Sequence, residues 1–294
     1  MTGETERRTL LSVEDLATEF PTESGPRVAV AGVTFDVAEG EVVSIVGESG
    51  SGKSVTALSL LRLVDDPGRI TGGRVLFDGD DVLAMRRTAL QRLRGDEVGM
   101  IFQEPIRSMN PVFTIGRQII ETLRAHTSLS KRAAYDRAIS WLERVGLPNP
   151  ERVMRAYPHE LSGGMMQRAM IAMALCCEPR LLIADEPTTA LDVTIQAQIL
   201  DLLLDLCDET GMAILFITHD LGVVAQIADA VLVMYGGRII ERGDVLDIFD
   251  RPQHPYTEAL LRTKPVLGQR AERLPVISEE VRRLALAGPV GAAA

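Results

Sequence analysis

Short, wholly apolar runs alternate along this chain with stretches of helical periodicity. Val42-Val43-Ser44-Ile45-Val46, Leu181-Leu182-Ile183-Ala184-Asp185 and Ala213-Ile214-Leu215-Phe216-Ile217-Thr218 are continuous runs, the pattern of strands buried on both faces. Leu11 to Phe20, Val28 to Val30 and Val33 to Val37 predict further strands, with a Pro/Ser/Gly loop from Pro21 to Pro26 between the first two. Gly72-Gly73 predicts a turn, and Val75-Leu76-Phe77 a strand that ends tightly at Asp78-Gly79. Val98 to Gln103 reads as a short strand stopped at Glu104-Pro105. The period then becomes helical: Ile115, Ile119, Ile120 and Leu123 share one face, as do Ala138, Trp141, Leu142 and Val145, with Gly146 at the helix end. Thr194 to Cys207 predicts an amphipathic helix with Ile195, Ile199, Leu202, Leu203 and Leu206 inward, closed by Gly211. Val231 to Ile240 predicts a hairpin about Gly236-Gly237, and the Ala/Gly-rich residues 285–294 read as disordered. The expectation is an α/β core with a β-rich N-terminal part and a helical insertion over residues 104–164.

Between the strand Val42 to Val46 and a helix over Val55 to Leu61 stands Gly47-Glu48-Ser49-Gly50-Ser51-Gly52-Lys53-Ser54, a match to G-x-x-x-x-G-K-[ST]. The glycines let successive backbone N–H groups turn inward at a helix N-terminus, which favours a triphosphate. Lys53 can then reach the β/γ-phosphates and the Ser54 hydroxyl can ligate Mg²⁺. ATP and Mg²⁺ are the expected ligands. At the end of a second apolar strand, Asp185 suits a carboxylate that holds Mg²⁺, and Glu186 one that orients or deprotonates the attacking water.

Composition changes this picture little. The chain has 294 residues, 46% hydrophobic and 24% charged, an ordinary globular profile. Lys and Arg total 31 against 41 Asp and Glu, a net charge of −10 with no basic block, which argues against nucleic acid as the main partner. No apolar run approaches the 18 or so residues of a membrane span, and the polar N-terminus lacks a signal-peptide core, so a cytoplasmic protein is expected. Cys176, Cys177 and Cys207 lack metal-ligand spacing and read as buried reduced thiols.

A P-loop alone admits kinases, GTPases and motor ATPases. Leu161-Ser162-Gly163-Gly164-Met165-Met166-Gln167-Arg168 narrows the choice. On spacing alone it is a Ser-capped helix start. With the other motifs it resembles the signature of ATP-binding cassette (ABC) transporter ATPases, whose LSGG segment closes on the γ-phosphate held by the other subunit. The resemblance implies a P-loop NTPase core with an antiparallel β subdomain and an α-helical subdomain insertion: residues 1–103 and 165–250 as core, 104–164 as the helical subdomain, and 251–294 as a C-terminal extension. Gln103 resembles the Q-loop glutamine, which senses Mg²⁺ and the attacking water. Ala190-Leu191-Asp192 resembles the D-loop, with Asp192 near the nucleotide. His219 resembles the switch histidine; taken alone it reads more readily as a satisfied strand-end histidine, and the series of motifs favours the switch role. Phe20 stands where cassettes stack adenine, with a core aromatic as the competing reading.

Glu104-Pro105 through Ser108-Met109-Asn110-Pro111, Tyr157-Pro158-His159-Glu160, and His254-Pro255-Tyr256-Thr257 look like the dipeptide, oligopeptide and nickel importer branch. Met165 replaces the glutamine of the general LSGGQ signature, a change this branch tolerates. The branch implies an ATPase subunit on the cytoplasmic face of the membrane, driving uptake of peptides or a related solute such as nickel or an opine. It implies a second ABC ATPase, usually a different chain, two permeases and an extracytoplasmic solute-binding protein. Many relatives carry a cysteine-bearing tail that can hold an iron–sulfur cluster; no cysteine follows Cys207, so none is expected. A non-transport ABC ATPase of DNA repair or translation is the alternative. A P-loop kinase would leave the Leu161 to Met165 segment without a role.

Overall fold

A computed structural model describes residues 7–104, 108–189, 191–263 and 277–286. Pro105 and Ala190, both within expected motifs, lie outside these residues, as do residues 287–294. The chain divides into two compact units, one of residues 11–36, 42–83 and 217–294, the other of residues 1–10, 37–41 and 84–216.

The first unit carries the P-loop. Its strand Val42–Val46 is buried throughout and pairs in parallel with Ala230–Tyr235. Ala230–Tyr235 turns through Gly236-Gly237 into Arg238–Asp244, the expected hairpin. A separate antiparallel sheet joins Thr9–Thr22, Gly25–Ala38, Arg69–Phe77 and the short Asp80–Asp81. Here two expectations are corrected. The loop from Pro21 to Pro26 shrinks to Glu23-Ser24, because both strands run on through the prolines. Pro26 is tolerated there since Gly25–Ala38 is an edge strand. Gly72-Gly73 is not a turn but lies inside Arg69–Phe77, opposite a register shift between Glu14 and Ala17. At Gly73 (φ +92°) a Cβ would stand 2.6 Å from the carbonyl oxygens of Glu14 and Asp15, so the bulge needs glycine. The shift has a purpose in packing: Leu11 and Val13 are buried before it, Leu16 and Thr18 after it, and an extra residue switches the inward phase.

The unit continues into helices Leu221–Ile227, Val245–Asp250 and Pro255–Arg262. The last is capped by His254, whose Nδ1 accepts from Tyr256 N at 3.0 Å. Tyr256 is fully buried, its ring 4.6 Å from that of Tyr235. A final helix, Glu279–Leu286, packs beside Pro255–Arg262. The segment expected to be disordered from Ala285 therefore opens inside a helix, where Ala285 is buried.

In the second unit Val98–Ile101 and Leu181–Asp185 pair in parallel, Val98 opposite Leu181 and Ile101 opposite Ala184, with Ala213–Ile217 beside them. Helices Ile115–His126, Lys131–Arg144, Pro150–Arg155 and Gly163–Leu175 pack together. Thr114 and Ser130 cap the first two by accepting from backbone N–H groups three residues on. Ile115, Ile119 and Leu123, with Ala138, Trp141 and Leu142, form the buried faces, as the period requires. Gly146 ends Lys131–Arg144 with φ +71°. Cys176 and Cys207 are buried thiols outside any disulfide, whereas Cys177 is only half-buried. Among the described residues no helix is long and apolar enough to cross a membrane.

Candidate functional site

The loop Gly47–Ser54 is a strand-to-helix turn whose shape is fixed from outside and within. A Cβ on Gly47 would lie 2.1 Å from the Met234 carbonyl oxygen, and one on Gly52 (φ +109°) 2.4 Å from that of Ala29. Only glycine fits where backbone approaches this closely. The hairpin turn clamps the loop through Gly237 N, which donates to Ser51 O at 2.8 Å. Lys53 opens the helix Lys53–Leu60 and is only 6% exposed. Its Nζ donates to Gly47 O at 2.8 Å, Glu48 O at 2.9 Å and Ser51 Oγ at 3.4 Å. These three bonds hold the ammonium over the loop. Ser54, one residue on, is half-buried.

His219 belongs to the same unit, two residues before the helix Leu221–Ile227. Thr218 N donates to Ile45 O at 3.3 Å, and Thr218 Oγ1 accepts from Asp220 N at 2.9 Å. Asp220 then caps Leu221–Ile227 by accepting from Gly222 N. His219 is left exposed between these two anchors. Phe20 is half-buried; its ring packs on Gly68, where a Cβ would meet it at 2.6 Å.

The second unit holds the remaining residues. Asp185 ends its strand 4% exposed. Glu186 follows with φ +49°, a left-handed conformation that costs a non-glycine residue about 1–3 kcal/mol and clusters at functional sites. Its Oε2 accepts from Thr189 Oγ1 at 3.1 Å. Gln103 is exposed two residues beyond Val98–Ile101. Ser162 caps Gly163–Leu175 by accepting from Met165 N at 3.3 Å; it and Gly163 are exposed, and a Cβ on Gly163 would meet nothing within 4 Å. Asp192 caps Val193–Thr210 by accepting from Ile195 N at 3.0 Å.

One residue carries a contact that sequence reasoning left without a role. Gln167, 1% exposed on the helix Gly163–Leu175, donates through Nε2 to Pro187 O at 2.7 Å. It ties the turn after Asp185-Glu186 to the helix that Ser162 begins. The signal in the sequence is a lone amide on an apolar helix face, which burial makes worthwhile only with a partner.

The family model described as ABC transporter matches residues 30–189, more than half of the chain. The chain belongs to the ABC transporter family. A second family model, oligopeptide/dipeptide transporter, C-terminal region, matches the cassette at residues 240–290. Among curated proteins, the cassette is 50% identical over 265 residues to a dipeptide transport ATP-binding protein of Haemophilus influenzae, covering 90% of this chain and 80% of the relative. It is 53% identical over 264 residues to an oligopeptide transport ATP-binding protein of Bacillus subtilis, covering 90% and 74%. Among solved structures it resembles a dimeric ATP-binding cassette in a post-hydrolysis state with ADP and Pi, with a TM-score of 0.74 and 27% identity over 80% of this chain and 99% of the other.

Proposed function

We propose that this cassette is the ATP-hydrolysing subunit of an importer for dipeptides or oligopeptides, seated on the cytoplasmic face of the membrane. The observation that carries the nucleotide half is the Gly47–Ser54 cradle, where glycines admit close backbone and Lys53 is buried over the phosphate position. The peptide half is supported by the C-terminal match and by the relatives' names.

Within this reading the backbone of Gly47 to Ser54, Glu48, Ser49, Gly50, Ser51 and Gly52 included, surrounds the triphosphate, and Lys53 neutralises its β/γ charge. The Ser54 hydroxyl, the Asp185 carboxylate and the Gln103 amide are hard oxygen donors of the kind Mg²⁺ takes. When bound, Mg²⁺ would neutralise charge that develops on the phosphate oxygens. Glu186 accepts the proton of the attacking water. His219 contacts the γ-phosphate, Phe20 stacks adenine, and Ser162, Gly163, Gly164 and Asp192 serve the nucleotide of a second ATPase, by our reading a different chain. Residues 1–103 and 165–250 form the nucleotide core, 104–164 the helical subdomain and 251–294 the extension. Two permeases and an extracytoplasmic solute-binding protein complete the assembly.

The test is reconstitution with two permeases, a partner ATPase and a solute-binding protein of a peptide importer. Labelled di- to pentapeptides should enter vesicles only with ATP, and Glu186→Gln should abolish entry. Hydrolysis coupled to nickel and indifferent to peptides would overturn the substrate class; no hydrolysis at all would overturn the subunit assignment.

A further inference from the structure

The helix Glu279–Leu286 touches the P-loop, and it does so at one residue. Arg282 donates to Glu48 Oε1 at 2.8 Å across 234 residues of chain, the two side chains 41% and 31% exposed. The backbone of Glu48 is engaged as well. Its N–H donates to the buried Tyr256 hydroxyl at 3.4 Å, and its carbonyl accepts from Lys53 Nζ at 2.9 Å. One turn beyond Arg282, Leu286 faces Glu48, Ser49, Gly50 and Ser51 across a cavity of about 260 Å³. Leu286 also lies against Gly236, where a Cβ would stand 2.6 Å from its Cδ2.

A loop that receives a polyanion gains nothing from a free carboxylate. The negative charge of Glu48 opposes that of the phosphates, and at partly exposed sites such repulsion changes affinity by about tenfold, less at high salt. Arg282 pairs with that carboxylate. We propose that Arg282 is a positioning residue for the nucleotide, neutralising and fixing Glu48, so that docking of Glu279–Leu286 and occupancy of the loop favour one another. This rests on reading Gly47–Ser54 as the triphosphate site. The coupling is reciprocal by linkage: whatever strengthens the helix contact strengthens nucleotide binding, and the reverse.

Titration of a fluorescent ATP analogue with Mg²⁺ into the full chain tests this in four proteins: wild type, Arg282→Ala, Glu48→Gln and the double variant. Arg282→Ala should weaken binding about tenfold at low salt, the loss shrinking as salt rises. On a Glu48→Gln background, Arg282→Ala should change affinity less than twofold. Arg282→Lys should restore most of the loss, which also guards against a variant that folds poorly. Nucleotide should slow amide exchange over residues 279–286. Equal losses in both backgrounds, or no loss in either, would mean the pair is structural only and overturn the proposal. So would exchange over 279–286 that ignores nucleotide. Wild type that binds no nucleotide would instead overturn the triphosphate reading itself.

Discussion

The loop Gly47–Ser54 and the segment Ser162-Gly163-Gly164 each feed a helix N-terminus, yet they are built in opposite ways. The loop is closed on itself: Lys53 lies over its carbonyls, Ser51 O is held by Gly237 N, and neither Gly47 nor Gly52 can take a Cβ. The Ser162 segment is open. Its side-chain bonds are local, the Ser162 cap and a bond from Arg168 to Gly164 O, and the space around Gly163 holds nothing within 4 Å of a would-be Cβ. Residues that bind a small ligand alone must be preorganised, because ordering them on binding would cost affinity. Residues that work only when another surface arrives must stay accessible. The contrast accords with a site completed by a second ATPase, and each half answers differently to substitution.

The largest expected effect falls on Glu186, the residue proposed for chemistry rather than binding. Glu186→Gln keeps shape and loses the base, so hydrolysis should slow by about 10²–10⁴-fold while ATP affinity stays near that of wild type. Single-turnover hydrolysis beside equilibrium binding measures both. Normal turnover in Glu186→Gln would remove Glu186 from the catalytic role and leave its left-handed backbone unexplained.

Next come the glycines. Gly47→Ala forces a Cβ to 2.1 Å from Met234 O, which backbone cannot yield cheaply, so the variant should lose several kcal/mol or fail to fold. Gly163→Ala meets open space and improves helix propensity, so its unfolding free energy should match or exceed wild type by up to about 1 kcal/mol. ATP affinity of the isolated chain should survive Gly163→Ala, while hydrolysis in the assembled transporter should fall. Denaturant melts and assembled ATPase assays read the two arms. A Gly163→Ala chain as unstable as Gly47→Ala would dissolve the contrast between a closed and an open loop.

The parts legible in sequence were those fixed by short-range chemistry. Val42–Val46, Leu181–Asp185 and Ala213–Ile217 are buried throughout, so their apolar runs needed no partner to be recognised. The P-loop, the cap at Ser162 and the hairpin at Gly236-Gly237 carry their geometry in consecutive residues. Gly72-Gly73 was misread because a glycine pair suits a turn and a bulge equally, and the deciding atoms are the carbonyls of Glu14 and Asp15. The Pro21 to Pro26 segment suggested a loop because prolines break sheets, a rule that an edge strand relaxes at Pro26. Gln167 and Arg282 stayed hidden for the same reason: their partners, Pro187 and Glu48, stand 20 and 234 residues away. Local pattern marks such polar residues but does not say what they meet.

The caps carry the comparison to its smallest effect. Ser162 caps an exposed helix start with a hydroxyl, so Ser162→Ala should cost about 1 kcal/mol of stability, equally at pH 7.5 and 5.5. His254 caps Pro255–Arg262 from a buried position, and its Nδ1 can accept from Tyr256 N only while neutral. Burial lowers its pKa below the usual 6.5, against the opposing pull of the Glu241 carboxylate. A depressed histidine pKa means that the unfolded chain takes up the proton first. The contribution of His254 is therefore complete above pH 6.5 and is lost as pH falls from there toward the folded value, by at most about 1.4 kcal/mol per pH unit. Serine caps well and does not titrate, so in His254→Ser this part of the acid sensitivity should vanish. Unfolding free energies at the two pH values, compared between wild type and variant, isolate that part from the other histidines. A wild type that loses no more than His254→Ser on acidification would mean that the imidazole is not held neutral in the folded chain.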